Sequence, residues 1–384
     1  MFGNFKRLLT VGLLGMALAA CQVIPKTQAP PVATPTAVPT EAPEALPTDD
    51  GRHRIALLVP LSGANGAVGQ SIANASTMAL LDTNAQNLRI TTYDTATGAQ
   101  NAAARAIRDG NKLILGPLLG DDVPAVIAQA RPARVPLISF SNDSTIAERD
   151  VFVMGVIPEQ SINRTVDYAM SKGARRFVAL VPNGEYGRRA EIALTQRVGR
   201  AGGTLVATER YDRGNTSIVS AAERLKNRGG FDAVLIADGV RLSAMAAGTL
   251  KSASAALPTI LGTELWSGDD GLTRASALRG AWFSAVSDAR YRQFVTSYQN
   301  RFGEQPYRIA TLGYDAVLLT LRVARDWRPG ATFPTSAMLD PGGFLGLDGP
   351  FRFRSNGVGE RAMEVRRVGA GTVTVADPAP TRFN

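Results

Sequence analysis

The 384-residue chain holds one cysteine and one histidine. The lone histidine, His53, sits where a Pro-rich stretch meets the first apolar run of the folded part, so neither a Ser-His-Asp triad nor a His-based metal site can be assembled. There is no G-x-S-x-G elbow and no G-x-x-x-x-G-K-[ST] loop, which removes the marks of a hydrolase nucleophile and of a P-loop. One formal G-x-G-x-x-A match, Gly357-Val358-Gly359-Glu360-Arg361-Ala362, lies inside "GPFRFRSNGVGERAMEVRRV". That segment alternates on both sides of the match and reads as a hairpin turn, not as a strand feeding a helix. The adjacent carboxylates Asp121 with Asp122 and Asp269 with Asp270 read as solvated loops. The expectation is a chain that is not an enzyme and uses no cofactor and no metal. The formal charge is +9, yet the basic residues are scattered and aromatics make up only 7%, so nucleic acid is not an expected partner.

Long apolar runs are also missing, except near the start. Lys6 and Arg7 precede an apolar run over residues 8–18 that ends in Ala19 and Ala20, the pattern of a secretory signal peptide covering residues 1–20. The run is about half of the ~20 residues a membrane-spanning helix needs. The only cysteine follows at once, and Leu18-Ala19-Ala20-Cys21 resembles the lipobox of bacterial lipoproteins. The resemblance implies a product that begins at Cys21, lipidated on its thiol and amino group and held to the membrane by that lipid. The alternative is a cleavage nearby with an incidental Cys21. Gln22 in place of an aspartate, by resemblance to the enterobacterial sorting pattern, favours the outer membrane facing the periplasm. Residues 21–51 are rich in Pro, Thr and Ala without apolar periodicity and read as a disordered tether.

From Gly51 onward, short apolar runs alternate with helical patterns. "IALLV" (55–59), "LRITTY", "KLILG" and "VPLIS" read as strands, separated by helices from Gly69, over "NAAARAIRDG" and over "VPAVIAQA". The rhythm resumes after Pro158 with helices at 160–172, 186–201, 216–228 and 241–250 between the strands "FVALV", "TLVAT", "AVLIA" and "PTILG". Continuous apolar strands separated by helices imply parallel sheets covered on both faces. The predicted fold class is α/β, two doubly wound parallel-sheet lobes joined by a hinge, behind a lipidated tether. In such sheets the ligand crevice lies beyond the carboxyl ends of the strands. The strand ends here are "PLSGANGAVG" with Ser62, "GPLLGDD" with Asp121 and Asp122, "SFSND" with Ser141, Asn142 and Asp143, "PNGEYG" with Tyr186, "ADGVR" with Asp238, and "GTELWS" with Glu264. Each loop taken singly also suits an ordinary turn or helix cap.

The segments "IALLVPLSG…VGQSIANAS", "YDTA", "ILGPLL", "VPLISFSN", "PNGEYGRR", "GTELWS" and "RFGEQPYRIATLGYDAVLLTLRVA", in this order, resemble the type I periplasmic-binding-protein family typified by branched-chain amino-acid receptors. The likeness covers 52–370 and implies a Leu-binding-like domain whose chain crosses between lobes three times. Lobe one would hold about 52–156 and 287–328, lobe two about 157–286 and 329–370, and residues 371–384 a tail. "LLVPLSG…VGQ" and "GPLL" further resemble the lipoprotein branch known as penicillin-binding-protein activators, which stimulate peptidoglycan synthases by contact. The implied role is activation of a peptidoglycan synthase, with a solute receptor of an ABC importer as the alternative. In the receptors, hydroxyls of lobe one hold the ligand's carboxylate and a lobe-two carboxylate holds its ammonium. Glu264 matches the ammonium position and Tyr186 a cleft tyrosine, while Ser141, Asn142 and Asp143 keep part of the clamp. The loop Pro117-Leu118-Leu119-Gly120-Asp121-Asp122 replaces the remaining hydroxyls, and Asp238 stands near a missing aromatic. Like charges at Asp121 and Asp122 would disfavour a carboxylate there. Glu264 also fits a solvated loop carboxylate.

Overall fold

The computed structural model describes residues 51–252 and 258–383. The signal peptide, Cys21 and nearly all of the tether lie outside the described residues.

Strand β1 (His53–Val59) shows how the first sheet is built. Ile55, Leu57 and Val59 enter one apolar cluster, and Ala56 and Leu58 enter another on the opposite face. A strand buried on both faces needs an apolar residue at every step, which explains the unbroken run. It pairs in parallel with β2 (Leu88–Asp94) and β3 (Leu113–Leu115), with Ile55 opposite Ile90 on one side and Leu113 on the other. Strands β4 (Leu137–Ser139) and β5 (Val151–Val153) complete an all-parallel sheet of order β2-β1-β3-β4-β5. Helix α1 (Gly66–Asp82) covers one face, and α2 (Ala99–Arg108) and α3 (Val123–Ala130) cover the other.

The second lobe repeats the plan. Helix α4 (Pro158–Ser171) leads into β6 (Arg176–Pro182), followed by α5 (Glu185–Arg200), β7 (Thr204–Tyr211), α6 (Ser217–Arg228), β8 (Ala233–Ile236), α7 (Val240–Lys251), β9 (Thr259–Leu261) and β10 (Trp282–Ala285). Phe177, Ala179 and Val181 of β6 pack with α4 and α5, while Val178 and Leu180 pack with α6 and α7. Trp266 is fully buried, its ring against Phe283 at 5.6 Å between centroids. A Cβ on Gly262 would stand 2.4 Å from that ring, so the glycine makes room for the indole.

The chain then returns through α8 (Tyr291–Phe302) and α9 (Thr311–Val323) to a three-stranded antiparallel sheet, β11 (Phe344–Gly346), β12 (Gly349–Phe353) and β13 (Gly359–Arg361). Phe333, Met338, Phe344, Phe351 and Phe353 share the lobe-one cluster with Leu312, Val317 and Val323 of α9. Residues 333–353 thus pack with lobe one, although the resemblance assigns 329–370 to lobe two, because their aromatic side chains complete the core that α9 opens. The hairpin expected around Gly357 joins β12 to β13, with Phe353 opposite Gly359. Gly357 has φ +83, and a Cβ there would lie 2.3 Å from the Glu148 carbonyl oxygen, so neither backbone angle nor space admits a side chain. Strand β14 (Glu364–Val368) adds antiparallel to β10, and β15 (Val373–Asp377) antiparallel to β14, giving the order β15-β14-β10-β9-β8-β6-β7. The expected tail therefore contains an edge strand.

Three crossings connect the lobes, between β5 and α4, between β10 and α8, and between β13 and β14. Arginines bind them to one another. Arg361 donates to the Met154 carbonyl from Nη2 at 2.8 Å, and Arg366 donates to the Val286 carbonyl at 2.5 Å. Gln160 donates to the Gly359 carbonyl at 2.6 Å and accepts from the Arg361 N–H at 3.0 Å.

Candidate functional site

Strand-end loops of both lobes enclose a cavity of about 460 Å³, within the size range of small-molecule sites. Leu118, Leu119 and Gly120 after β3, and Phe140, Ser141 and Asn142 after β4, form the lobe-one side. Glu264, Leu265 and Ser267 after β9, with Ala285 and Val286 at the end of β10, form the lobe-two side. Arg308, Ile309, Thr311 and Leu312, at the start of α9, and Asp348 close the floor. Most of the wall is apolar, so the few polar atoms that reach it decide what it can hold.

Glu264 reaches the cavity on a short 3-10 turn after β9. The Tyr186 hydroxyl donates to its Oε1 at 3.0 Å and lies 2.9 Å from Thr263 Oγ1. Oε2 is enclosed and has no hydrogen-bond partner in the protein. The nearby Ser161 hydroxyl donates instead to the Ser284 carbonyl at 2.7 Å. Burial pushes the Glu264 carboxyl up to about 7, because a charge away from water is costly to form. Burial first, and then the charge of Glu264, raises Tyr186 well above the usual phenol range. The Ser267 hydroxyl, also enclosed, likewise finds no partner in the protein.

Arg308 and Asp348 were not among the residues expected from the sequence. Arg308 Nη1 donates to Asp348 Oδ1 at 2.6 Å, and the Thr311 hydroxyl donates to Asp348 Oδ2 at 2.9 Å. The guanidinium lies over the Tyr291 ring, 4.2 Å from its centroid. Its other edge, Nε and Nη2, is enclosed and makes no hydrogen bond within the protein. Asp288 Oδ1 stands 3.6 Å from Nη2, beyond hydrogen-bond reach, while its Oδ2 accepts from Arg366 at 2.5 Å. Behind Asp348, Arg361 Nη1 lies 3.8 Å from Asp348 and 4.0 Å from Asp315. Burial, and then the charge of Asp348, holds the Asp315 carboxyl above its ordinary range. One signal was visible in the sequence: Asp315 interrupts the apolar stripe of Leu312, Ala316 and Leu319 on α9, and a buried carboxylate demands a cation nearby.

The residues expected from the sequence divide into three groups. Ser141, Asn142 and Glu264 line the cavity, and Tyr186 supports Glu264. Asn142 and Asp143 are engaged across the lobes: Arg189 of α5 donates to the Asn142 carbonyl at 2.8 Å and stands 3.9 Å from Asp143. The same arginine forms a two-pronged pair with Glu159, both contacts 2.7 Å. Asp143 also accepts from the Thr145 N–H at 2.9 Å, as an ordinary cap. Ser62, Asp121, Asp122 and Asp238 do not line the cavity. Ser62 is exposed and caps nothing. Asp121 and Asp122 form a turn ahead of α3, where burial and then the Asp121 charge raise the Asp122 carboxyl. Their repulsion therefore acts beside the cavity and not inside it. Asp238 is buried, its carboxylate held by the Tyr211 hydroxyl, Arg213 and the Gly239 N–H.

Two doubly wound lobes, three crossings and a cleft between strand ends define a type I periplasmic binding fold. The family model described as periplasmic binding protein matches residues 53–372, and the chain belongs to that family. The protein RP748 of Rickettsia prowazekii is 27% identical over 176 residues, 45% of this chain and 47% of that protein. The penicillin-binding protein activator LpoA of Glaesserella parasuis is 26% identical over 145 residues, 37% of this chain and 25% of that protein. The match thus spans about half the length of the first relative and a quarter of the second. A solved structure described as a branched-chain amino acid ABC transporter from Rhodospirillum rubrum superposes with a TM-score of 0.74 at 19% identity, covering 84% of this chain and 99% of that one. That likeness concerns the fold.

Proposed function

We propose that this chain is a non-catalytic protein of the cell envelope that activates a peptidoglycan synthase by direct contact. The observation that carries this reading is the loop after β3. Where amino-acid receptors of this fold place hydroxyls for a ligand's carboxylate, Leu118 and Leu119 line the cavity. The clamp of a dedicated amino-acid receptor is thereby reduced, and the partial likeness to an LpoA activator points in the same direction. Anchoring through Cys21, with Gln22 directing the outer membrane, would set the domain on the periplasmic side at the end of its tether. Replacing Cys21 with alanine should move the protein from the membrane fraction to the soluble one, and retention on the membrane would remove the anchor. The activator reading is tested by adding the full-length chain to a purified bifunctional peptidoglycan synthase and following polymerisation of lipid-linked precursor. A faster rate with saturable dependence on the chain is expected. Unchanged rates, together with no co-sedimentation, would reject it.

A second reading has its own support. Glu264 Oε2, Ser267 Oγ and the Nε and Nη2 of Arg308 are enclosed polar atoms without protein partners, and all three residues line one cavity. Buried polar groups are rarely left so, since each costs on the order of 1–3 kcal/mol. Their convergence favours a small-molecule ligand between the lobes, as in the solute receptor of an importer.

A further inference from the structure

We propose that the free edge of Arg308 is the anchor for a ligand's carboxylate, so that the cleft takes a small carboxylic acid with an apolar body. The inference rests on the second reading above. It places the anionic end of the ligand at the floor of the cleft, away from the loops after β3 and β4.

Three features of the guanidinium support this. Nε–H and Nη2–H point the same way and form the side-on fork that matches the two oxygens of a carboxylate. Both atoms are enclosed and lack a hydrogen bond in the protein. The group is also held in position, by Asp348 at 2.6 Å on Nη1 and by the Tyr291 ring at 4.2 Å, so little freedom would be lost on binding. Asp288 faces the fork: its Oδ1, also enclosed and without a hydrogen bond, stands 3.6 Å from Nη2, while Arg366 takes its Oδ2 at 2.5 Å. A planar acid fits better than a phosphate because most of the wall is apolar: Leu118, Leu119, Phe140, Val286 and Leu312 would cover a hydrocarbon body, and the neutral polar side chains on it, Ser141, Asn142 and Ser267, bring no second cation for a tetrahedral dianion.

The test compares matched acid and amide pairs by titration calorimetry on the full-length chain in detergent. The pairs are leucine with leucinamide and 3-phenylpropionate with 3-phenylpropionamide. At least one acid should bind about tenfold or more tightly than its amide, the effect of a charge-assisted pair of hydrogen bonds. Arg308→Lys, which keeps the charge and loses the fork, should abolish most of that preference. Equal binding of acid and amide in the unaltered protein, or an undiminished preference in Arg308→Lys, would overturn the assignment while leaving the cleft a ligand site. Binding of neither pair would overturn both the assignment and the small-molecule reading. The acid–amide comparison needs no substitution, so it stands even where Arg308→Lys folds poorly.

Discussion

Asp238 and Glu264 follow adjacent parallel strands of the same sheet, yet their surroundings differ. Asp238 Oδ2 accepts from the Tyr211 hydroxyl at 2.7 Å and from Arg213 Nε at 2.8 Å, and Oδ1 accepts from the Gly239 N–H at 2.8 Å. Its carbonyl accepts from Trp266 Nε1 at 2.9 Å and from the Ser243 hydroxyl at 3.0 Å. Glu264 receives one side-chain hydrogen bond, from Tyr186, and its second oxygen receives none in the protein. The Asp238 carboxylate, both oxygens engaged inside the lobe, ties β7 to the end of β8, its backbone carbonyl holds the Trp266 turn, and neither faces the cavity. An unsaturated carboxylate facing a cavity costs stability and keeps capacity for a ligand. The difference separates fold from site more sharply than residue type does, for both are acidic residues in strand-end loops.

The largest effect expected from this comparison is on Asp238. Asp238→Ala should strand the buried Tyr211 hydroxyl and remove the partner of Arg213, at about 3 kcal/mol. The measurement is the urea midpoint of unfolding, read by tryptophan fluorescence because the Trp266 indole donates to the Asp238 carbonyl. Ligand binding in the cleft should survive wherever the variant is folded. A loss below about 1 kcal/mol would mean that the network around Asp238 contributes little and that the contrast with Glu264 is one of geometry alone.

How far the sequence could reach follows from the same contrast. Strands buried on both faces were legible as continuous apolar runs, and the helix expected over 123–130 coincides with α3 because Val123, Val126 and Ala130 repeat at helical spacing. Strand β5 and the return of residues 333–353 to lobe one were not read, since three residues carry no periodicity and the packing of Phe344 and Phe351 on α9 is a tertiary fact. Among the site residues, Glu264 and Tyr186 were legible by likeness to the family. Arg308 was not, because its partner Asp348 lies 40 residues away, and the one local signal, Asp315 on α9, calls for a buried cation without saying which. Ser62 was misleading in a specific way: the Leu61 N–H is held by Asp94 at 2.8 Å, and the next residue faces solvent. Parallel strands do place their carboxyl ends on one edge, but only tertiary contacts decide which of those loops reach the cleft.

A smaller effect, of opposite sign, is expected at Glu264. Its carboxyl titrates near pH 7 when folded, against an ordinary value of 4.5. The folded protein therefore keeps a proton that the unfolded chain releases, and stability falls as pH rises from about 4.5 to about 7, then levels off. Asp315, raised in the same direction, adds its own decline. Glu264→Gln removes the Glu264 share, because an amide of the same shape cannot ionise. Because the residue is only partly buried, the full shift overstates the effect, and the variant should gain about 1–2 kcal/mol over the unaltered protein at pH 8 and almost nothing at pH 4. Urea midpoints of both proteins between pH 4 and pH 8 give the answer. Parallel pH profiles would place Glu264 with the solvated carboxylates, and the contrast with Asp238 would then rest on hydrogen-bond count alone. A diverging pair would show that the cleft carries a standing electrostatic cost, which binding of a ligand with a donor at Oε2 would relieve.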